Sequence, residues 1–401
     1  MNKKEVFAWG MYDLANTIFS ALFVTFFYPF YVKQFLGGNE LQIGLVFGLS
    51  MLAVGLIVPV IGAWSDHMGR RLPFMFFFTI VCCIFTWLVA AVPLGFALVC
   101  GFFANFAYHA ALTTYNALLP TLAKKNEIGN VSGIGIGMGY IGTLISLAIA
   151  APILMMLGWE SAEGARAIFG ATAIMFFAFS LVTFFVIKEP GNGQNWKSSG
   201  KYVLLSVRAV LKTLKNVYHH RQFFKFLMSQ FWYANAINAV ILFLFLFAKQ
   251  QINLSVKAFF VVYTLQSVGA VIGSFVAGSV VDKYGPKKVL VIAGFAWMAV
   301  IVLLLFVKSA GMFVFAGMLG GAALGTVWTA QRPKLLSLVK EADIGQFFGF
   351  LELTNKFSGI LGPIVFGFLA HKVSYPAALI SLIVFFALGL LSLRGVPGDD
   401  K

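Results

Sequence analysis

The chemistry this chain can do rests on ionisable and amide side chains set inside long apolar runs. Asp13 and Asn16 stand at i, i+3 in the first run, so on a helix they share a face. Asn235 and Asn238 repeat that spacing in the second half, beside Tyr233. The pattern D-x-x-N in one half therefore pairs with N-x-x-N in the other. The fourth run carries Asn105, Tyr108 and His109. A carboxylate, amides, a phenol and an imidazole can hold a proton or a cation and hydrogen-bond a polar solute. Each has a plainer reading. Asp13 lies a few turns from the end of its run and suits a structural pair, and a lone His109 suits hydrogen-bonded packing. Glu352 and Lys356, at i, i+4, have the spacing of an intramembrane ion pair, structural or part of transport. Arg332 reads as a solute anchor or as a snorkelling interfacial cation. No nucleophile elbow, Walker loop or metal-spaced histidine pair is present. An enzyme is not expected, and no cofactor is expected beyond a coupling proton or sodium ion.

Two short polar stretches interrupt the apolar runs. Gly62-Ala63-Trp64-Ser65-Asp66-His67-Met68-Gly69-Arg70-Arg71 recurs as Gly278-Ser279-Val280-Val281-Asp282-Lys283-Tyr284-Gly285-Pro286-Lys287-Lys288. Both fit G-x-x-x-D-[basic or His]-x-G followed within one residue by a pair of cations, which points to two copies of one membrane unit. Gly69 and Gly285 permit a tight turn. Asp66 and Asp282 can accept hydrogen bonds from a helix N-terminus or pair with Arg70, Arg71, Lys287 and Lys288. The two stretches resemble the signature loops of the major facilitator superfamily. That resemblance implies a latch that releases during transport, made of Gly62, Asp66, Gly69, Arg70, Arg71, Asp282, Gly285, Lys287 and Lys288.

The elements that must position these groups are membrane helices. The 401 residues are 60% hydrophobic and only 11% charged, against about 25% charged in soluble domains. About twelve spans of ~20 residues can be drawn. The first six lie near 7–32, 42–64, 73–92, 95–120, 130–157 and 166–187. The second six lie near 224–248, 257–280, 288–307, 311–332, 345–370 and 374–394. The expected architecture is all-α, with an N-terminal six-helix bundle at 1–187, a linker at 188–223 and a C-terminal six-helix bundle at 224–401. With the N-terminus inside, roughly 22 Lys and Arg fall in inside segments and 6 in outside ones. The positive-inside rule then puts both termini in the cytoplasm. This alternation also accounts for the net charge of +15 without nucleic acid.

In the linker, Lys197, Lys201, Arg208, Lys212 and Lys215 alternate with apolar residues, as in a basic amphipathic helix on anionic headgroups. Gly191-Asn192-Gly193 reads as a flexible joint. Gly137-Met138-Gly139-Tyr140-Ile141-Gly142 fits a dinucleotide fingerprint, but it sits in an apolar run and suits close helix packing. Cys82, Cys83 and Cys100 have no metal or redox spacing.

A closer resemblance spans nearly the whole chain. Trp9-Gly10-Met11-Tyr12-Asp13-Leu14-Ala15-Asn16 is similar to the W-x-x-Y-D-x-A-N opening of Atg22-like (UMF1) transporters. Tyr115-Asn116-Ala117-Leu118-Leu119-Pro120 resembles their Y-N-x-L-L-P. Ser132-Gly133-Ile134-Gly135 with Gly139-Tyr140-Ile141-Gly142 looks like their fifth helix, and Phe347-Phe348-Gly349-Phe350 with Lys356 and Gly362-Pro363 like their eleventh. Tyr233-Ala234-Asn235 stands where that family often has Tyr-Asn-Asp, and Ala330-Gln331-Arg332-Pro333 where it often has S-R-S. The resemblance implies an alternating-access carrier in a bacterial cytoplasmic membrane. Its partners would be a small polar solute, as in vacuolar amino-acid efflux, and membrane lipid; a monomer is expected. It also implies that helices 1, 4, 7 and 10 line the cavity, which makes Asp13, Asn16, Asn105, Tyr108, His109, Tyr233, Asn235 and Asn238 its candidate residues. Asp66-His67-Met68-Gly69-Arg70-Arg71-Leu72-Pro73-Phe74 also looks like the loop of sugar–cation symporters, which is the alternative.

Overall fold

Long apolar runs with prolines and serines at their borders give long helices. The computed structural model describes residues 2–38, 40–124, 126–189, 204–208, 220–254 and 256–398. Twelve long helices appear among them: α1 Lys3–Gln34, α2 Glu40–Met68, α3 Leu72–Leu88, α4 Leu94–Ala117, α5 Ile128–Leu157, α6 Ala162–Val186, α7 Arg221–Ile252, α8 Val256–Tyr284, α9 Pro286–Leu305, α10 Ala310–Leu336, α11 Ile344–Lys372 and α12 Tyr375–Arg394. No strand occurs among the described residues. Eleven of the helices, all but α7, are long and apolar enough to cross a membrane. The protein is a multi-pass membrane protein. Side chains such as Leu56, Phe96, Met156 and Phe185 face outward at 68–85% or so exposure, as lipid-facing positions do.

The helix borders follow local chemistry. The side chains of Asn2, Ser161, Ser309 and Ser374 accept a backbone N–H at the starts of α1, α6, α10 and α12. Asn253 ends α7 in the left-handed region at φ 50°. Within α1, residues Ser20–Phe27 are π-helical. Pro29 follows at once and has no N–H to donate to a ladder, so the wider register ends where the proline begins.

The repeated motif is not a loop over its whole length. Gly62 to Met68 are the closing turns of α2, and Gly278 to Tyr284 those of α8. The turns proper are Gly69–Arg71 in the first copy and Gly285 in the second. Gly69 and Gly285 have φ of 61° and 87°, a region glycine enters without strain.

The chain forms two compact units. Unit 1 comprises Met1–Leu122, Met138–Lys212 and Glu341–Gly349; unit 2 comprises Ala123–Gly137, Thr213–Lys340 and Phe350–Lys401. The division thus passes through α5 and α11. In unit 1, Leu14, Ile18 and Leu22 of α1 pack on Ala150 and Leu154 of α5 and on Ile168 and Met175 of α6. Val54, Val58, Ile61 and Met68 of α2 pack with Phe74 of α3 and Ala110 of α4. In unit 2, α8 and α10 touch backbone to backbone, and a Cβ on Gly321 would overlap the carbonyl of Gln266. Tyr233 and Trp297 both pack against the ring of Phe386.

Of the linker at 188–223, Lys188, Glu189 and residues 204–208 and 220–223 are described; 204–208 form a helical segment and Arg221 opens α7. The expected amphipathic helix over Lys197–Lys215 and the Gly191–Gly193 joint otherwise lie outside the described residues.

Candidate transport machinery

Each motif aspartate sits on the last turns of its helix and caps another helix. The Asp66 carboxylate accepts the backbone N–H groups of Gly345 at 2.8 Å and Gln346 at 3.3 Å, at the start of α11. The Asp282 carboxylate accepts those of Gly129 at 2.7 Å and Asn130 at 2.8 Å, at the start of α5. These N–H groups have no partner inside their own helix, and a negative charge there meets the positive end of the helix dipole. The Arg71 guanidinium also donates to Asp66 at 3.0 Å.

The first glycine of each motif makes these caps accessible. A Cβ on Gly62 would overlap the Gly345 carbonyl, and one on Gly278 would lie 2.9 Å from the Gly129 carbonyl. Gly62 and Asp66, like Gly278 and Asp282, are at i, i+4 and therefore on one helix face. The glycine lets the backbones meet, and the aspartate one turn later closes the cap. The receiving helices share a sequence signal of their own. Glu127-Ile128-Gly129-Asn130 and Asp343-Ile344-Gly345-Gln346 are the same acid-Ile-Gly-amide sequence.

The cation two residues past the second glycine, Arg71 or Lys287, makes different contacts in the two copies. Arg71 turns to Asp66, while its backbone N–H and that of Leu72 are both accepted by Glu189, each at 2.8 Å. Lys287, the matching residue, donates instead to carbonyls at the end of α12. Lys288 is exposed and Arg70 half-buried.

Within the apolar runs of unit 1, Asp13 is 5% exposed and accepts the Tyr115 hydroxyl of α4 at 3.0 Å. Its carboxylate also borders Gly139 of α5, and Gly142 packs on the Leu14 backbone, so the G-x-G-x-x-G stretch serves helix packing. Trp9 stacks on Tyr115 at 4.5 Å and donates to its carbonyl. Asn16 is buried, and its amide oxygen has no hydrogen-bond partner among the described residues. Asn105 donates to Ser50 of α2 at 2.8 Å. The Tyr108 and His109 rings lie 4.5 Å apart, and Phe19 packs on Tyr108.

In unit 2 the register of α7 differs from the expected pairing. The Tyr12 hydroxyl shares a hydrogen bond with Thr79 of α3, and the Tyr233 hydroxyl donates to Leu290 of α9. Gly142 meets the backbone of Leu14, and Gly362 meets that of Asn235. Tyr12 thus matches Tyr233, Leu14 matches Asn235, and Asp13 matches Ala234. The D-x-x-N to N-x-x-N pairing is one residue out, which on a helix is about 100° of rotation. Asn235 is fully buried, accepts the Gly362 N–H at 2.7 Å and donates to Phe231 at 2.8 Å. It is a strut between α7 and α11. Half-buried Asn238 donates weakly to Asn355 and Ser358, at 3.4 and 3.5 Å. Glu352 is buried at 5% exposure, whereas the Lys356 side chain lies outside the described residues, so the expected pair is not described. Arg332 is 4% exposed, buried in protein rather than snorkelling at a lipid surface.

The comparisons agree with this architecture. The chain is similar to an uncharacterized MFS-type transporter of Bacillus subtilis, YxiO, at 23% identity over 99% of this chain and 96% of the relative. It is 24% identical to a multi-drug resistance efflux pump PmrA homolog of Lactococcus lactis, over 91% of this chain and 88% of that one. Among solved structures it superposes on the human organic anion transporter MFSD10 with a TM-score of 0.76 at 12% identity, covering 98% and 99% of the two chains. On the transporter FucP in its outward conformation the TM-score is 0.75 at 17% identity, covering 98% and 97%. These likenesses give the major facilitator fold. The family model described as vacuole effluxer Atg22 like matches residues 43–400, and the chain belongs to that family of major facilitator transporters.

Proposed function

We propose that this transporter is a secondary carrier that moves a small polar solute, an amino acid leaving the cell, by alternating access. The observation that carries the reading is the reciprocal pair of caps, Asp66 on α11 and Asp282 on α5. A cap of this kind stabilises a helix end by roughly 0.5–2 kcal/mol. That is enough to bias two states and little enough to be broken in each cycle. The moving bodies are the sequence repeats, 1–187 and 224–401, with both termini in the cytoplasm. Buried Asp13 is the proton or cation site, and Asn16, Tyr108, His109 and Asn238 meet the solute. The Atg22-like membership supports an effluxed amino acid as that solute.

The test is thermal unfolding of purified protein against amino acids, sugars and organic cations, at two pH values. A bound solute raises apparent stability by mass action, by about 2.7 kcal/mol at a hundred times its Kd. Stabilisation by amino acids, lost in Asp13→Asn, is the expected result. Stabilisation by sugars with sodium supports the symporter reading instead. Stabilisation by lipophilic cations alone supports a drug-efflux role, in keeping with the name of the Lactococcus relative.

A further inference from the structure

The residues that end α12 are held by three lysines from three other helices. Lys225 of α7 donates to the Gly395 carbonyl at 3.3 Å. Lys287, at the start of α9, donates to the carbonyls of Arg394 at 3.5 Å and of Val396. Lys334, near the end of α10, donates to the Pro397 carbonyl at 3.0 Å. Four consecutive carbonyls therefore accept ammonium groups from α7, α9 and α10. All of these residues belong to unit 2.

The chemistry suits the place. The carbonyls of Arg394 and Gly395, at the end of α12, have no partner within the helix and form the negative end of its dipole, while those of Val396 and Pro397 continue the acceptor row just beyond it. Lys334 is 1% exposed and Val396 2%. Lysine loses up to about 2 kcal/mol of side-chain entropy on being fixed, so a buried one is not a solvated surface charge that happens to lie near the tail. Lys287 adds a second argument. It occupies the motif position whose counterpart, Arg71, braces the Asp66 cap. In one repeat that position holds the latch carboxylate; in the other it holds the tail.

We propose that Arg394–Pro397 is a strap that fastens the ends of α7, α9 and α10 to α12, so that they move as one body, and that its release is a control point on that movement. The inference is independent of the solute. The test is hydrogen exchange of the full chain in nanodiscs, compared with a chain ending at Arg394, with Lys334→Met, and with both changes together. In either single variant, amides in residues 221–228 and 328–336 should exchange about tenfold faster, as a local opening made easier by ~1.4 kcal/mol requires. The combined variant should exchange no faster than the truncated chain, and α1 to α3 should be unchanged. Unchanged exchange after truncation overturns the strap, and so does a combined effect equal to the product of the two. If truncation loosens every helix, the fold itself has suffered, and Lys225→Met with Lys287→Met in the intact chain decides. Faster exchange confined to the starts of α7 and α9 supports the strap, and no change there overturns it.

Discussion

Asp66 shows how much one side chain can be asked to do in this fold. Its carboxylate has three partners, two backbone N–H groups of α11 and the Arg71 guanidinium. Asp66→Asn keeps the shape but loses the charge that the helix dipole and Arg71 favour. The neighbouring glycines make a sharper test, because they act by backbone approach and not by charge. A side chain on Gly345 would push into the Gly62 carbonyl and the Asp66 carboxylate. Gly345→Leu should therefore reproduce the phenotype of Asp66→Asn while leaving every charge in place. The measurement is the transport rate in proteoliposomes beside solute affinity by thermal shift. Both variants should slow turnover several-fold with affinity held within about twofold. If Gly345→Leu transports normally, the contact is not part of the cycle. Tyr115 is a second testable residue, through its hydroxyl bond to Asp13. Tyr115→Phe should lower stability by about 1 kcal/mol, seen as a reduced unfolding midpoint, because it leaves a buried acceptor short of one donor.

At the level of helices, the α8–α10 pair is packed more tightly than side chains allow. Glycines on both helices face opposing carbonyls, Gly273 against Ala322 and Gly321 against Gln266. Gly321→Leu must separate the backbones, and overpacking of this kind costs about 1–3 kcal/mol or more. Its unfolding midpoint should fall well below that of Gly317→Leu on the same helix, where an added Cβ meets, among the described residues, a Val262 methyl and no backbone. Equal losses would mean that the close approach is incidental. These helices were legible in the sequence, since apolar runs of span length leave little choice in lipid. The alignment of one repeat on the other was not. Spacing alone matched Asp13-x-x-Asn16 with Asn235-x-x-Asn238, whereas the register is marked by Tyr12 and Tyr233, whose hydroxyls reach α3 and α9. Matching by polar letter ignores which face a residue presents. The receiving ends of α5 and α11 were readable as acid-Ile-Gly-amide but carry no charge pattern that draws the eye. The lysine contacts to the tail leave no sequence pattern at all, because any residue supplies a carbonyl.

Over the whole chain, the two caps join the repeats crosswise in sequence. The aspartate of the first repeat closes on a helix of the second, and the aspartate of the second on a helix of the first. Two such caps of roughly 1 kcal/mol each bias a two-state equilibrium by about fivefold apiece. If both close in the same state, their losses multiply. If they close in opposite states, the losses cancel. A reporter that needs no solute separates these cases. Gln346 is 1% exposed beside the Asp66 cap. A chain with Cys82, Cys83 and Cys100 replaced, and with Gln346→Cys added, should react slowly with a maleimide. Asp282→Asn opens the cap of the other unit, so a common gate carries its effect to the labelling of Gln346→Cys. Each cap is closed within its own unit, and a single gate requires that the two open together. Asp282→Asn alone should therefore speed labelling about fivefold, and adding Asp66→Asn should multiply that by a similar factor. Labelling unchanged by Asp282→Asn would mean that the two caps open independently, each serving its own helix and not a common gate.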